Sequence, residues 1–447
     1  MMKKPNIVFY FADQQRWDTL GCMGQKLDVT PNIDELAKSG TLFENAFTCQ
    51  PVCGPARACL QTGRYATEVG CHINGIAPQF GNVKMLAEYF NEADYRTAYV
   101  GKWHLATDMH KGLNYETAAI PHSRRGGYKD YWMAADVLEF TSHGYNGYVY
   151  DENCEKVNFT GYRADCINNY AIDFVQKQSE EKPFFLFVSQ IEPHHQNDDK
   201  RFEGPCGSKE KFCKFTPPGD LVGKGGDWQE NYPDYLGACH SLDENLGRLV
   251  TALKDKGLWE NTILFYTADH GSHFRTRNSE YKRSCHDASI HIPLLAVGGC
   301  FNTGRRVKNV VSLIDLPTTL LDCAGIEMPK EFKGRSLCEL AENPTMSWDN
   351  TAFLQISESQ VGRAIRTERY TYSVRGEKEG FITDVNSDVY YEDFLYDDIA
   401  DVHQQNNLVN DFAFADVRKA LSEKLAQKMR EANEELPNIK PITDRNK

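Results

Sequence analysis

Cys53 opens a stretch in which three chemical elements fall together: Gln50-Pro51-Val52-Cys53-Gly54-Pro55-Ala56-Arg57-Ala58-Cys59-Leu60-Gln61-Thr62-Gly63-Arg64. Pro55 suits the first turn of a helix, where a missing N–H costs nothing. Gly54 lets the backbone pack close to a ligand. Ala56 to Leu60 can then run helical, with Cys53 at the N-terminal edge. Unpaired N–H groups and a partial positive charge at that end favour a bound oxyanion. Arg57 follows by one helical turn and can share the face of Cys53, and Arg64 comes near the end of the same helix. A nucleophile, an anion-binding helix end and a guanidinium thus lie within about two turns. Taken alone, Cys53 also fits a buried structural thiol before a helix.

A second set of polar residues stands at the ends of apolar runs. Asn6 to Ala12 is continuously apolar after its first residue and ends at Asp13-Gln14. Thr97 to Val100 ends at Gly101-Lys102-Trp103-His104, Phe184 to Val188 runs on to Glu192-Pro193-His194-His195, and Thr262 to Ala268 ends at Asp269-His270-Gly271. Such runs read as strands of a parallel sheet buried on both faces. Helical patterns lie between them, over Asn32–Ser39, Val83–Asn91, Arg163–Lys177 and Leu236–Lys254. Strands alternating with helices predict an α/β fold with a large, mainly parallel sheet. In such sheets ligands bind beyond the C-terminal strand ends, so the four polar tips are expected to converge. Asp13, Gln14, Asp269 and His270 then form a candidate metal set. Their oxygens suit a hard divalent cation such as Ca²⁺, while the imidazole leaves Mg²⁺, Mn²⁺ or Zn²⁺ open.

The chain has 447 residues, enough for one large domain and a smaller one. A net charge of −13 excludes a broadly basic nucleic-acid-binding face. It does not exclude an anionic substrate, because a local cationic cluster overrides the average. Met1-Met2-Lys3-Lys4-Pro5-Asn6 lacks the apolar stretch of a signal peptide, and no apolar run is long enough to span a membrane. With 14 cysteines, this predicts reduced thiols in a cytoplasm. Cys49, Cys53 and Cys59 are not spaced as a zinc site.

The stretch around Cys53 resembles the activation motif of the type I sulfatases, Cys-x-Pro-x-Arg followed by Thr-Gly-Arg. That family belongs to the alkaline-phosphatase-like superfamily. There the cysteine is oxidised by a sulfatase-maturing enzyme to formylglycine, whose hydrate is the nucleophile. The resemblance implies the same for Cys53, with Arg57 beside it. It also implies that Asp13, Gln14, Asp269 and His270 ring the metal together with residue 53. Sulfatases commonly have two adjacent aspartates at the first strand end. Gln14 departs from this, as in choline sulfatases and phosphonate monoester hydrolases, and leaves metal identity and ester specificity open. Lys102 and His104 match the Gly-Lys-x-His motif, in which the lysine binds sulfate and the histidine assists turnover. His194 fits the family's Pro-His-x-Pro position, with Gln196 where the second proline often stands. His195 is next to it, and the two are not separable by sequence. One faces the leaving group. Lys282 falls where a second sulfate-binding lysine follows Asp-His-Gly, with Arg283 and His286 as alternatives. Trp103 is expected in the core.

Val310–Leu321 and Gly334–Leu337 resemble the closing segments of the sulfatase catalytic domain. This predicts a catalytic domain over 1–345 and a C-terminal antiparallel sheet with one helix over 346–447. The Gly-, Pro- and charge-rich segment Asp198–Tyr232 reads as a specificity loop. Its Arg201, Lys209, Lys211 and Lys214 favour a sulfated carbohydrate as the ester. The expected activity is hydrolysis of an organic sulfate monoester. Alternatives are an aryl or choline sulfatase, a phosphonate or phosphate ester hydrolase, and a non-catalytic binding protein on the same fold.

Overall fold

A computed structural model describes residues 3–377, 380 and 382–442. Met1 and Met2 of the N-terminal reading and the last five residues of the C-terminal region lie outside it.

Among the described residues, the four apolar runs form adjacent parallel strands at the centre of an eleven-stranded sheet. Asn6–Ala12 lies between Thr262–Ala268 and Phe184–Ser189, and Arg96–Lys102 follows on the far side of the latter. Phe9 is in register with both Phe187 and Phe265, and its ring stacks on that of Phe187 with centroids 4.9 Å apart. Tyr131–Ala135 extends the parallel set on one side. On the other, Leu294–Val297 runs antiparallel and leads to Thr41–Phe47 and Arg305–Ser312. Two groups of helices cover the sheet: Pro31–Ser39, Arg163–Gln176 and Trp228–Asp255 in one, Cys53–Thr62, Leu86–Glu92 and Asp315–Cys323 in the other. Cover on both faces is why the central strands carry almost no polar alternation. Trp103 is fully buried and meets Tyr99 edge-on at 4.9 Å, as expected of a core residue.

Gly101 joins two strand ends that both carry site residues. Its φ is +103°, and a Cβ there would lie 1.9 Å from the carbonyl oxygen of Ser189. Gly101→Ala is therefore expected to cost at least about 2 kcal/mol, since backbone strain and overpacking each contribute about 1–3 kcal/mol. Urea unfolding checks this. An unchanged midpoint with an unchanged slope would refute it.

The second sheet has five strands among the described residues. Thr351–Ile356, Gly362–Thr367, Tyr370–Gly376 and Val389–Asp397 pair antiparallel in chain order. Asn438–Lys440 adds a parallel edge that the sequence did not signal. The helix Ala415–Glu431 buries Leu421, Leu425 and Met429, a one-turn spacing along a single face. The core is continuous between the two sheets, with Phe353, Ile365 and Leu395 packed into the main cluster.

One helix differs from expectation. Trp228–Asp255 starts well before Leu236 and contains Pro233. Tyr232, Tyr235, Leu236 and Cys239 repeat at helical spacing and pack with Phe202, Phe274 and Tyr281. Their burial outweighs the missing proline N–H, and the helix runs back to Trp228, inside the segment read from the sequence as a loop over 198–232.

Candidate functional site

The helix Cys53–Thr62 is buried along its whole length. It begins where the four strand ends meet. Gly54 is the tight point: its N–H donates to Asn74 Oδ1 at 2.9 Å, and a Cβ would lie 2.9 Å from the same oxygen. Gly54 thus admits Asn74 to the mouth of the site. Arg64 turns away from it and pairs with Glu68 at 2.8 Å.

Cys53 Sγ is the meeting point. Lys282 Nζ donates to it at 2.7 Å, His270 Nε2 lies 3.2 Å away and Asp13 Oδ1 3.5 Å away. Arg57 lies behind. Its Nη1 donates to Ser189 Oγ at 2.7 Å and to the Lys102 carbonyl at 2.9 Å, and its Nη2 to Asp13 Oδ2 at 3.0 Å. Lys102 Nζ sits 2.9 Å from Asp13 and 2.9 Å from Glu139. Three buried cations thus face three carboxylates, Asp13, Glu139 and Asp269.

The charges set the protonation states. Burial alone would raise the Asp13 carboxyl, but the charges of Lys102, Arg57 and Lys282 hold it well below the usual range. Burial and the Asp13 charge instead raise Asp269 to about 7. Burial, then Asp13, pushes the Cys53 thiol up to about 12, and a protonated thiol is a weak nucleophile. Burial holds His104, His194 and His270 well below the ordinary histidine value, with Lys282 or Lys102 the next cause. All three are neutral at physiological pH.

Asp13, Cys53, Asp269 and His270 place four ligand atoms within 4.8 Å of one another. These residues fit a divalent cation on two further counts. Asp269 Oδ2 is buried without a hydrogen-bond partner among the described residues. His270 Nδ1 lies 3.0 Å from the Gly271 carbonyl and must donate to it, which leaves Nε2 with a free lone pair. Lys282 now donates to that lone pair at 3.1 Å. Gln14 borders the set. It has φ +68°, its N–H donates to Asp269 Oδ1 at 2.9 Å, and its Oε1 is 3.3 Å from His195 Nδ1. His104 has φ +58°. Positive φ at two such residues is the kind of strain that collects at functional sites.

Cys53, His104, His194, His195 and Lys282 face a cavity of about 200 Å³. Asp13, Gln14, Arg57, Lys102, Asp269 and His270 do not line it. The two adjacent histidines stack with ring centroids 4.4 Å apart but differ in contact. His194 Nε2 is 3.3 Å from Lys282 Nζ, whereas His195 turns to Gln14 and Tyr281. Of the alternatives to Lys282, Arg283 lines the rim and pairs with Glu358 at 2.6 Å. His286 is buried elsewhere, 3.1 Å from the Tyr396 hydroxyl.

The segment 198–232 is not the wall of this cavity. Arg201 and Lys209 line a separate hollow with His143 and Asp234, Lys211 meets His240, and neither Lys211 nor Lys214 lines the cavity over Cys53. The tyrosine and phenylalanine packing that extends the long helix folds the segment onto that helix instead. The walls come from Asn74, Glu116, Asn197, Glu280 and Arg283. Of these, sequence reasoning named only Arg283, as an alternative to Lys282; it missed the others, and also Glu139 and Ser189, which hold Lys102 and Arg57. No motif marks them.

The family model for sulfatases matches residues 5–326. The chain belongs to the sulfatase family. A second family model, the C-terminal region of N-sulphoglucosamine sulphohydrolase, matches residues 279–431 of this sulfatase. An ulvan-active sulfatase of Formosa agariphila is 32% identical, with 97% of this chain and 82% of that protein covered. Among solved structures, the Bacteroides fragilis protein YidJ, assigned as a sulfatase, superposes with a TM-score of 0.84 at 24% identity, covering 98% and 97% of the two chains. A structure in complex with its substrate D-glucosamine-2-N,6-O-disulfate superposes with a TM-score of 0.76 at 22% identity, covering 96% and 98%. The α/β fold, the mainly parallel sheet and the separate C-terminal sheet agree with these likenesses. No helix among the described residues is long and apolar enough to cross a membrane.

Proposed function

We propose that this sulfatase releases sulfate from a sulfated carbohydrate, using formylglycine made from Cys53 and one divalent cation, Ca²⁺ by its hard oxygen donors. The observation that carries the reading is the position of Cys53. It lies at the floor of a polar cavity, in contact with Lys282 and above a buried set of carboxylates and imidazole. When present, the aldehyde's hydrate supplies an oxygen nucleophile, and the cation supplies positive charge for the sulfuryl oxygens. Asp13, Asp269 and His270 would hold that cation, with Gln14 at its edge.

The other residues act around that atom. Lys282 reaches the reacting position and stabilises negative charge there, and its proton can pass to the leaving oxygen. His194, neutral and 3.3 Å from Lys282, orients that ammonium toward the leaving group. Its neighbour His195 positions Gln14. Lys102 and Arg57 keep Asp13 ionised. His104 lines the cavity as a neutral imidazole whose buried Nδ1 has no partner among the described residues. It is placed to take a proton from the hydrate when sulfate departs. Cys53 is only 1% exposed, so a maturing enzyme acts on it before the chain closes around it. We take 1–345 as the catalytic unit and 346–447 as the unit that closes its wall. Glu358, from the second unit, bonds the Asn74 N–H and pairs with Arg283.

The carbohydrate reading is supported by amide, carboxylate and guanidinium groups around the rim, which suit sugar hydroxyls, and by the ulvan-active relative. Co-expression with a maturing enzyme, then assay of one sugar as its sulfate and phosphate monoesters beside an aryl sulfate, tests it. The sugar sulfate is expected to exceed the phosphate by at least about 100-fold in kcat/KM, near 3 kcal/mol. Cleavage of the aryl sulfate but of no sugar sulfate, or preference for phosphate, would overturn the substrate class.

A further inference from the structure

Three cysteines that play no part in the site above come together on the opposite strand ends. Cys300 lies in the turn Gly299–Phe301, Cys323 ends the helix Asp315–Cys323, and Cys338 starts the helix Cys338–Glu342. Their sulfur atoms lie within 4.8 Å of one another, and those of Cys323 and Cys338 are 3.6 Å apart. A disulfide needs about 2.05 Å. A tetrahedral thiolate site with metal–sulfur bonds of about 2.3 Å needs sulfurs about 3.8 Å apart. The Cys323–Cys338 separation is too long for the first and close to the second, and all three sulfurs lie within the reach of one ion.

The backbone holds this approach. Gly298 and Gly299 have φ of +99° and +54°, and added Cβ atoms would lie 2.2 Å from the Thr262 carbonyl oxygen and 2.8 Å from Ile263 Cδ1. Only glycine lets the turn carrying Cys300 press so closely on the sheet. The sulfurs are half-buried and open to a hollow of about 400 Å³ that Lys3 and Asp322 also line. A fourth ligand and solvent can enter from that side.

We propose that Cys300, Cys323 and Cys338 form a three-thiolate site for a thiophilic divalent cation of the Zn²⁺ class, separate from the catalytic centre. Binding forms three metal–sulfur bonds and releases the three thiol protons to water, with no change in oxidation state. The ion joins the sheet edge to two helices that no strand pairing connects. Thiolates select such soft-binding ions, while the oxygen-rich catalytic set suits a hard one, so the two sites would sort different metals.

Cd²⁺ is the probe, because thiolate-to-cadmium charge transfer absorbs in the ultraviolet. The full-length protein, reduced and carrying Cys53→Ser to remove the catalytic thiol, is titrated with Cd²⁺ and followed by absorbance. The expected result is one equivalent bound with a three-thiolate band. Cys323→Ser should lower the band by about a third and weaken binding at least tenfold. Cys300→Ser made in the otherwise native sequence should leave sulfate release unchanged, and an unchanged circular dichroism spectrum shows that the variants fold. A band equally strong in the Cys300→Ser and Cys323→Ser proteins would overturn the site. So would recovery of a Cys323–Cys338 disulfide with no cadmium uptake after reduction.

Discussion

Cys53→Ala is expected to abolish turnover, lowering kcat by about 10⁴- to 10⁶-fold while leaving the protein folded. The range follows from losses seen when a nucleophile is removed and binding is left in place. Cys53 is buried against Asp13, His270 and Lys282, so the substitution leaves a small void and one ammonium without its sulfur partner. It removes no backbone contact, and the melting temperature should move by only a few degrees. Sulfate release by ion chromatography is the measurement. Release at even a hundredth of the wild-type rate would mean that residue 53 is not the nucleophile. The mass of the peptide containing residue 53 gives a second check. An aldehyde there is expected after co-expression with a maturing enzyme, and an unmodified thiol in an active preparation would overturn the formylglycine reading.

Lys282→Met is expected to lower kcat by about 10²- to 10³-fold, the usual cost of removing one group that stabilises developing charge. The lysine is buried, contacts Cys53 Sγ and lies 3.3 Å from His194 Nε2. Its neighbour Arg283 provides the contrast. Arg283 lines the rim and is held by Glu358, so Arg283→Ala should raise KM by about tenfold with kcat nearly kept, the pattern of lost ground-state binding. Steady-state kinetics on a sugar sulfate separates the two. If Lys282→Met raised only KM, the lysine would be a binding group and the proton for the leaving oxygen would have to come from elsewhere.

Much of this was legible before the structure. The four central strands could be read because burial on both faces removes polar alternation and leaves uninterrupted apolar runs. Their polar tips stood out against those runs. Local chemistry also gave the helix at Cys53, since Pro55 and Gly54 mark its start whatever packs around it. Less legible was anything fixed by contact between distant segments. The long helix was read only from Leu236 because the aromatic cluster that holds its first turns includes residues from 202, 274 and 281. The edge strand Asn438–Lys440 carries too few residues for a periodicity to show.

The same division runs through the site. By itself the sequence picked out the polar residues that meet at the strand ends and at the helix Cys53–Thr62: Asp13, Cys53, Arg57, Lys102, His104, His194, Asp269 and His270, each in a local motif. Only the tertiary structure decided how they are arranged. It set Lys282 rather than Arg283 or His286 against Cys53, turned His194 to that lysine and His195 to Gln14, and placed Arg57 and Lys102 behind Asp13 instead of in the cavity. It also moved the basic loop 198–232 away from the cavity over Cys53 and built the wall from Asn74, Glu116, Asn197 and Glu280. The physical reason is range. Motif spacing reports what one turn or one strand end can present, whereas side-chain direction and cavity shape are set by segments hundreds of residues apart that meet only when the core closes.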